Sequence, residues 1–374
     1  MSHAAGLAAI DELLARRSNA NERFFHSESA RIAQLCRELA GRFQRGGRLI
    51  AAAHTPQGWS DAHHVAVEFV HPVIVGKRAL PALAVAPEEL ELLAQPDDAV
   101  IAFDAVHLPR DPLTIAFSPV GADWEFGPPG EDPFVRQELV ETLYHVVWEL
   151  VHVFFEHGTR STAGAGSSRF LYPFLEAGAS DLERVEADVA RSVLMKAEEV
   201  GRLREQTLAD ASDELQAAAG GLRERFDRGG KLLAFGNGGS ATDAMDLVAD
   251  LREPLQHWPA RPAIDLTADA AILTALANDI GTEVLFARQI IAYGLPGDVA
   301  VALSTSGNSV NVIEALAEAR ARGLLTIAFV GYDGGRVASE SLADHVIVTR
   351  SEHIPRIQEA QATAYHVLRE LVEA

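Results

Sequence analysis

The chain repeats itself, and this repeat restricts the possible folds more than any other feature of the sequence. "RFQRGGRLIA" at Arg42–Ala51 returns as "RFDRGGKLLA" at Arg225–Ala234. "QELVETLYHVVWELV" from Gln137 aligns without a gap with "QEAQATAYHVLRELV" from Gln358. Between these two anchors the first half is shorter by about forty residues. A duplication of this kind predicts two domains built on one plan, of which the first is degenerate and shortened.

The length and a low-complexity segment place the domain boundaries. The 374 residues suit two domains, because a domain typically has about 150 residues. "GTRSTAGAGSS" at Gly158–Ser168 is small and polar without periodicity, which is typical of a flexible linker. We therefore predict a degenerate first domain at 1–157, a linker at 158–178 and a second domain at 179–374.

The hydrophobic pattern predicts the fold class. Each half opens with helical patterning, as in "IAQLCRELAGRF" at Ile32–Phe43, and a Gly-Gly pair then ends the helix. Short apolar runs follow in the second half, "KLLAF", "PAIDL", "DVAVAL", "LLTIAFV" and "HVIV"; the first half keeps "RLIAAA", "PALAVA", "AVIAF" and "LTIAF". Such runs, separated by helices, are typical of parallel sheets covered on both faces. We predict an α/β fold with two doubly wound parallel sheets, the first lacking a crossover helix or two, and a bundle formed by the helices that precede them.

The charge balance argues against several classes of function. There are 32 Lys and Arg against 53 Asp and Glu, so the net charge is −21, which disfavours a protein that neutralises nucleic-acid or membrane phosphates. No apolar run is long enough to span a bilayer, and Asp11 and Glu12 stand where a signal peptide needs an apolar stretch. We predict a cytoplasmic protein that binds neither nucleic acid nor membrane. Cys36, the only cysteine, is interpreted as a core residue.

Two loops of the second half suit a phosphate group. "GNGGSATDAM" at Gly236–Met245 lies between a strand and a helix, and "STSGNS" at Ser304–Ser309 follows another strand. Glycines let the backbone approach an anion, and a helix start directs N–H groups and a partial positive charge at it. Open α/β sheets bind ligands at the carboxyl ends of their strands. Either loop alone could be a tight turn, but the two together favour a phosphate site.

These loops carry a resemblance to a known family. Together with "ANDIG" between them and "RIQE" with a His eight residues after its Gln, they resemble the sugar isomerase (SIS) domain, and within that group the bacterial phosphoheptose isomerases. The resemblance is strong over residues 215–374. It implies a phosphate site formed by seven loop residues: Asn237, Gly238, Ser240, Ser304, Thr305, Ser306 and Ser309. It also implies three further substrate-binding residues: Asn278, Asp279 and Gln358.

The resemblance implies a metal set as well, usually zinc, which includes the catalytic acid and base. It consists of a His and a Glu four residues apart on one helix, and a Gln and a His eight residues apart on another. The first half matches at all four positions: His64, Glu68, Gln137 and His145. The second half departs at two of the four: Asp246, Asp250, Gln358 and His366. Residues four apart on a helix face the same way, and two carboxylates make a harder, less zinc-like set.

The two halves have therefore exchanged parts. The first half has "AAHTPQG" and "DAVHLPR" where the second has its two loops, so it keeps the reactive residues without the phosphate site. Because SIS domains pair so that sites form between two copies, we expect one composite site, with Glu68 as base and His145 as acid. The resemblance implies zinc and a phosphosugar substrate. The amphipathic helices before each Gly-Gly and the long segment "ERVEADVARSVLMKAEEVGRL" exceed what one core needs to cover, so we also expect a homodimer that forms a pseudo-tetramer of SIS units.

The expected reaction is an aldose–ketose isomerisation, most closely that of sedoheptulose 7-phosphate to a heptose 7-phosphate. A different class of function fits the same exchange. A non-catalytic SIS module that senses a phosphosugar, or that binds a replication initiator, would also have lost loops and altered reactive residues. Whether Asp246, Asp250 and His366 form a second working site stays open at this point.

Overall fold

The computed structural model describes residues 3–74, 76–158 and 182–374, so the predicted linker, apart from its first residue, lies outside the described residues. The chain forms two compact units. One consists of Asn19–Glu199 and is called the first unit here; the other consists of Met1–Ser18 with Val200–Ala374 and is called the second unit.

The first unit is built on a five-stranded sheet in which all strands run parallel, in the order β2-β1-β3-β4-β5. Its elements, in chain order, are α1 (His3–Gln44), β1 (Leu49–Ala52), α2 (Pro56–Val70), β2 (Ala82–Val85), a 3₁₀ turn (Pro87–Glu89), α3 (Leu90–Leu93), β3 (Ala99–Ala102), β4 (Leu113–Ala116), β5 (Trp124–Glu125) and α4 (Pro133–Gly158). The first part of α1 belongs to the second unit.

The second unit has a sheet of the same design, parallel throughout and in the order β7-β6-β8-β9-β10. Its elements are α5 (Leu182–Asp210), α6 (Ser212–Asp227), β6 (Leu232–Phe235), α7 (Gly239–Arg252), β7 (Ala263–Asp265), α8 (Ala270–Asp279), a 3₁₀ turn (Thr282–Val284), α9 (Leu285–Tyr293), β8 (Val299–Ser304), α10 (Val310–Ala321), β9 (Leu325–Gly331), α11 (Gly335–Ser339), β10 (His345–Thr349) and α12 (Ile354–Glu373). The first part of α5 belongs to the first unit.

The predicted fold class is confirmed. Each predicted apolar run contains a strand, because these residues are buried along almost the whole length of the central strands. The sequence did not predict β5, whose two residues are too few to show a period. The described residues between β3 and β4 form no helix, and only the short α3 links β2 to β3, where the second unit has α8 and α9. These are the crossover segments that the shorter first half lacks.

Each unit has its own apolar core beneath its sheet. In the first unit the buried side of α1 packs with α2 and α4, and Cys36 lies in this core. Burial raises the pKa of the Cys36 thiol, which keeps it protonated, as expected of a core residue. In the second unit the core joins α6, α7 and α12 to the sheet. Among the described residues, no helix combines the length and the apolar character that crossing a membrane requires.

Candidate active site

The two hydroxyl-rich loops of the second unit meet at one place. The chain leaves β6 towards β7 on one side, while β8 lies on the other side of β6, so the carboxyl ends of β6 and β8 flank the switch point of the sheet. The side-chain amides of Asn237 and Asn311 exchange hydrogen bonds of 3.0 and 2.9 Å across this point. A Cβ atom on Gly236 would lie 2.9 Å from the carbonyl oxygen of Leu303, so the start of the first loop is in close backbone contact with the end of β8.

The first loop presents a helix start to this crevice. Helix α7 begins at Gly239, and its N-cap is Gly238, which adopts a φ of +58° and has no side chain to cap the helix. The partial positive charge of a helix N-terminus is therefore directed into an exposed corner of the sheet edge. Ser240 is buried in the first turn of α7.

The second loop is held rigidly by backbone packing. Gly307 has a φ of +61°, and a Cβ atom on it would lie 2.2 Å from the carbonyl oxygen of Gly334, so only glycine fits there. The hydroxyl of Ser304 accepts a hydrogen bond from the Gly307 N–H at 3.2 Å, and the hydroxyl of Ser306 accepts one from the Asn308 N–H at 3.2 Å. Ser306 is half-buried, so its hydroxyl proton can still be donated to a ligand at this edge.

The other predicted substrate residues are more dispersed. Asn278 and Asp279 are exposed at the end of α8, and the side-chain hydrogen bond of Asn278 runs to Asp279 at 2.7 Å rather than to either loop. Gln358 is buried in the second turn of α12. Thr305 and Ser309 are half-buried in the second loop.

Asp265, at the carboxyl end of β7, is a residue that the sequence analysis missed. One carboxylate oxygen accepts hydrogen bonds from the N–H and the hydroxyl of Thr267, at 2.7 and 2.6 Å. The other oxygen is buried and has no hydrogen-bond partner among the described residues. Burial raises the pKa of this carboxyl, and the bonds from Thr267 only partly oppose it. The signal was present in "PAIDL", where a carboxylate interrupts an apolar strand at its carboxyl end.

The first unit brings together three of its four predicted metal ligands. Helix α2 carries His64 and Glu68 one turn apart, and α4 carries His145; all three side chains are buried. The Nε2 atoms of His64 and His145 are 3.2 Å apart. One possible ligand atom from each of the three residues lies within 4.8 Å of the others. Gln137 is half-buried on α4, two turns before His145.

These residues fit a zinc ion. Two nitrogen ligands at zinc's usual bond length of about 2.05 Å would be about 3.3 Å apart in a tetrahedral site, close to the observed separation of His64 and His145. Two imidazoles with one carboxylate are a donor set that zinc favours. Helix α2 is fixed at its start by Thr55, whose hydroxyl caps the N–H of Gly58 at 3.2 Å. His64 and Glu68 therefore lie on a helix whose start is held by a side-chain cap.

The matching residues of the second unit make a different cluster. Asp246, Asp250 and His366 are buried and close enough to hold an ion. The Nε2 atom of His366 is 3.3 Å from an oxygen of Asp246 and 3.4 Å from one of Asp250. The hydroxyl of Tyr365 donates to Asp246 at 2.8 Å. This cluster is thus a hydrogen-bond network of two carboxylates, one imidazole and a tyrosine hydroxyl.

The chain is similar to known proteins. The SIS domain family matches residues 197–331. Over 176 residues the chain is 46% identical to the phosphoheptose isomerase of Chlorobaculum tepidum, a match that covers 46% of this chain and 83% of the relative. The phosphoheptose isomerase of Aquifex aeolicus is 46% identical over 169 residues, which cover 43% of this chain and 84% of the relative.

A solved structure is similar over nearly the whole length. The C-terminal domain of glucosamine-fructose-6-phosphate aminotransferase from Francisella tularensis matches with a TM-score of 0.62 at 11% identity, covering 98% of this chain and 95% of that chain. At this identity the likeness shows the fold alone.

Proposed function

Because the chain belongs to the phosphoheptose isomerase family, we propose that it interconverts an aldose and a ketose phosphate, most closely sedoheptulose 7-phosphate and a heptose 7-phosphate. The main support for this proposal is the pair of loops at the switch point of the second sheet, which are linked by hydrogen bonds between Asn237 and Asn311. They offer hydroxyls, backbone N–H groups and a helix start to an anion. The names of the relatives support a heptose phosphate as the substrate, and the two loops would bind its phosphate group.

The chemistry is assigned to the first unit. Isomerisation needs a group that takes a proton from the carbon next to a carbonyl and a group that protonates the oxygen. Glu68 acts as this base and His145 as this acid in the proposed mechanism. If His64, Glu68 and His145 instead held a zinc ion, Glu68 and His145 would be its ligands and not the free base and acid, and the ion would supply a Lewis acid for the sugar carbonyl. The ring of His64 contacts the ring of His145 edge to face, with centroids 4.9 Å apart, and this contact helps to orient the imidazole of His145.

The proposed site is composite, because each half keeps what the other has lost. The second unit has the phosphate loops but carboxylates in place of the His and Glu, and the first unit has the His and Glu without the loops. This exchange supports one site that draws on both halves, within a chain or between two chains.

Two matched variants test the assignment. Glu68→Gln keeps the shape of the side chain but cannot take a proton, so it should lower kcat by about 10² to 10⁴-fold and leave the affinity for the sugar phosphate nearly unchanged. Asp250→Asn, at the matching position of the second unit, should cost much less. Turnover and sugar-phosphate binding are measured for both, with metal content as a control for loss of the ion. If Asp250 proves essential and Glu68 dispensable, the chemistry belongs to the second unit.

A non-catalytic phosphosugar sensor remains the competing function, and one observation favours it. In the second unit the residues that replace the reactive pair are already bound to His366 and Tyr365. The sensor predicts tight phosphosugar binding with no turnover in the unmodified protein, a result that would exclude the isomerase.

The proposed assembly is a homodimer with four SIS-type units. Helix α8 has the apolar sequence "AAILTALAND", yet none of its ten residues, all of them described, is buried. Ile280, directly after α8, is 53% exposed, and Leu295, just after α9, is 62% exposed. Exposed apolar surface of this kind is typical of a protein interface. Light scattering should give the mass of two chains, and a strict monomer at micromolar concentration would contradict the assembly.

A further inference from the structure

The carboxyl ends of β1 and β3 in the first unit form the same kind of switch point as those of β6 and β8 in the second. The strand registers show which residues of the two switch points correspond. Ala52, the last residue of β1, pairs with Ala102, and Phe235, the last residue of β6, pairs with Ala302. Two residues beyond these partners the first unit has Asp104 and the second unit has Ser304.

Asp104 fills the switch point of the first unit with its own carboxylate. The N–H of His54 donates to both carboxylate oxygens, at 3.1 and 2.8 Å. The N–H and the hydroxyl of Thr55 donate to one of them, at 2.7 and 2.9 Å. Three donors of the loop before α2 therefore converge on a single anion, which is the arrangement that a bound phosphate would otherwise receive.

The position of this carboxylate leaves little room for a ligand. Thr55 is the N-cap of α2, so Asp104 binds the helix at its positive end. A Cβ atom on Gly58, in the first turn, would lie 3.2 Å from the same Asp104 oxygen and 2.8 Å from the Cβ of Ala53. A phosphate group would need this space, and the fixed negative charge would repel it.

We infer that Asp104 is a built-in anion that replaces the ligand phosphate in the first unit. It closes this crevice to sugar phosphates, and it is a positioning residue for α2, the helix that carries His64 and Glu68. The inference rests on the proposed function, in that the second unit alone then takes up the phosphosugar. Each chain binds one phosphate, and α2 is held in its active position before any ligand arrives.

The test uses inorganic phosphate and the full chain. Asp104→Ala should vacate the crevice, so the variant should bind two phosphates per chain by calorimetry where the unmodified protein binds one. Phosphate at ten times its dissociation constant for the new site should raise the unfolding midpoint by about 3 to 6 °C beyond the rise in the unmodified protein. Asp104→Ser introduces the residue that the second unit has at this position, and it should behave in the same way. It replaces the alanine variant in the test if that variant folds poorly.

Asp123→Ala is the matched control. Asp123 accepts from the N–H and the hydroxyl of Thr114, both at 2.9 Å, as Asp104 does from Thr55, but this pair lies at a strand and not at a helix start. Its loss should destabilise the protein without rescue by phosphate. Two phosphates per chain in the unmodified protein, or no extra phosphate response in either Asp104 variant, would overturn the inference. A Ser306→Ala variant tests the proposed function separately. If its affinity for phosphate equals that of the unmodified protein, the proposed phosphate site of the second unit is wrong.

Discussion

Replacing Ser306 by Ala should change the affinity of the second loop for a phosphate much more than it changes the stability of the protein. The Ser306 hydroxyl accepts one hydrogen bond from the Asn308 N–H at 3.2 Å, and it is half-buried at the edge where the phosphate is proposed to bind. Alanine removes this acceptor and the hydroxyl proton together. The folded protein loses one long, partly exposed bond, whereas the complex loses a bond to a charged group.

The two losses differ in size. A hydrogen bond to a charged group contributes about 1.5 to 3 kcal/mol, which corresponds to a dissociation constant about 10 to 150 times larger. A neutral bond contributes about 0.5 to 1.5 kcal/mol, and the 3.2 Å length of this bond favours the lower part of that range for the free energy of unfolding. We therefore expect a large change in affinity with a small change in stability.

Ser351→Ala provides the matched comparison. The Ser351 hydroxyl accepts from the N–H of His353, two residues on, at 3.1 Å, so this variant loses the same local bond outside the two loops. Calorimetry with a C7 sugar phosphate gives the affinities, and urea unfolding gives the stabilities. Equal affinity in the two variants would refute the argument that the second loop binds phosphate.

Three further results are expected. Gly307→Ala should lower the urea midpoint more than Gly121→Ala, because both glycines have positive φ but only at Gly307 does a Cβ atom meet backbone, at 2.2 Å from a carbonyl oxygen. A chelator should lower the unfolding midpoint of the zinc-loaded protein but not of its His64→Ala variant, with zinc content measured in parallel. Burial lowers the pKa of His152 to about 4 in the folded protein. As the pH drops from about 6.5 towards 4, this histidine is protonated in the unfolded chain but not in the folded one, so the free energy of unfolding should fall over this range. Substituting His152 by Gln should flatten that slope, as measured by urea unfolding at each pH.

The sequence was sufficient for the features that arise from local patterns. The central strands were visible as apolar runs because both faces of a parallel sheet are covered. The pairing of His64 with Glu68 followed from helical geometry. The grouping of His145 with them came from the resemblance to the phosphoheptose isomerases, since nothing local in the sequence joins α2 to α4.

Features that depend on long-range geometry could not be predicted in this way. Asp104 is fifty residues from His54 in the chain, and only the parallel register of β1 and β3 brings them together. Asp265 interrupts an apolar strand, but its buried oxygen is evident only when the neighbouring elements are in place. The sequence "DAVHLPR" indicated that the second loop was lost, but not that a carboxylate had replaced the ligand.

The two side-chain clusters differ in the contacts of the tyrosines that precede His145 and His366. The second unit has Asp246 where the first unit has His64. The carboxylate of Asp246 accepts a hydrogen bond from the Tyr365 hydroxyl at 2.8 Å and lies 3.3 Å from Nε2 of His366, so it serves both side chains. In the first unit the corresponding ring, that of Tyr144, packs against His64 at 5.4 Å, and the imidazole of His64 faces His145 instead. Two imidazole nitrogens 3.2 Å apart attract each other only if a proton or a cation lies between them. A proton between His64 and His145 could be transferred to a substrate, and a cation between them could polarise a carbonyl; either would serve an isomerisation. In the second unit the carboxylates already bind the imidazole of His366, which would have to transfer the proton.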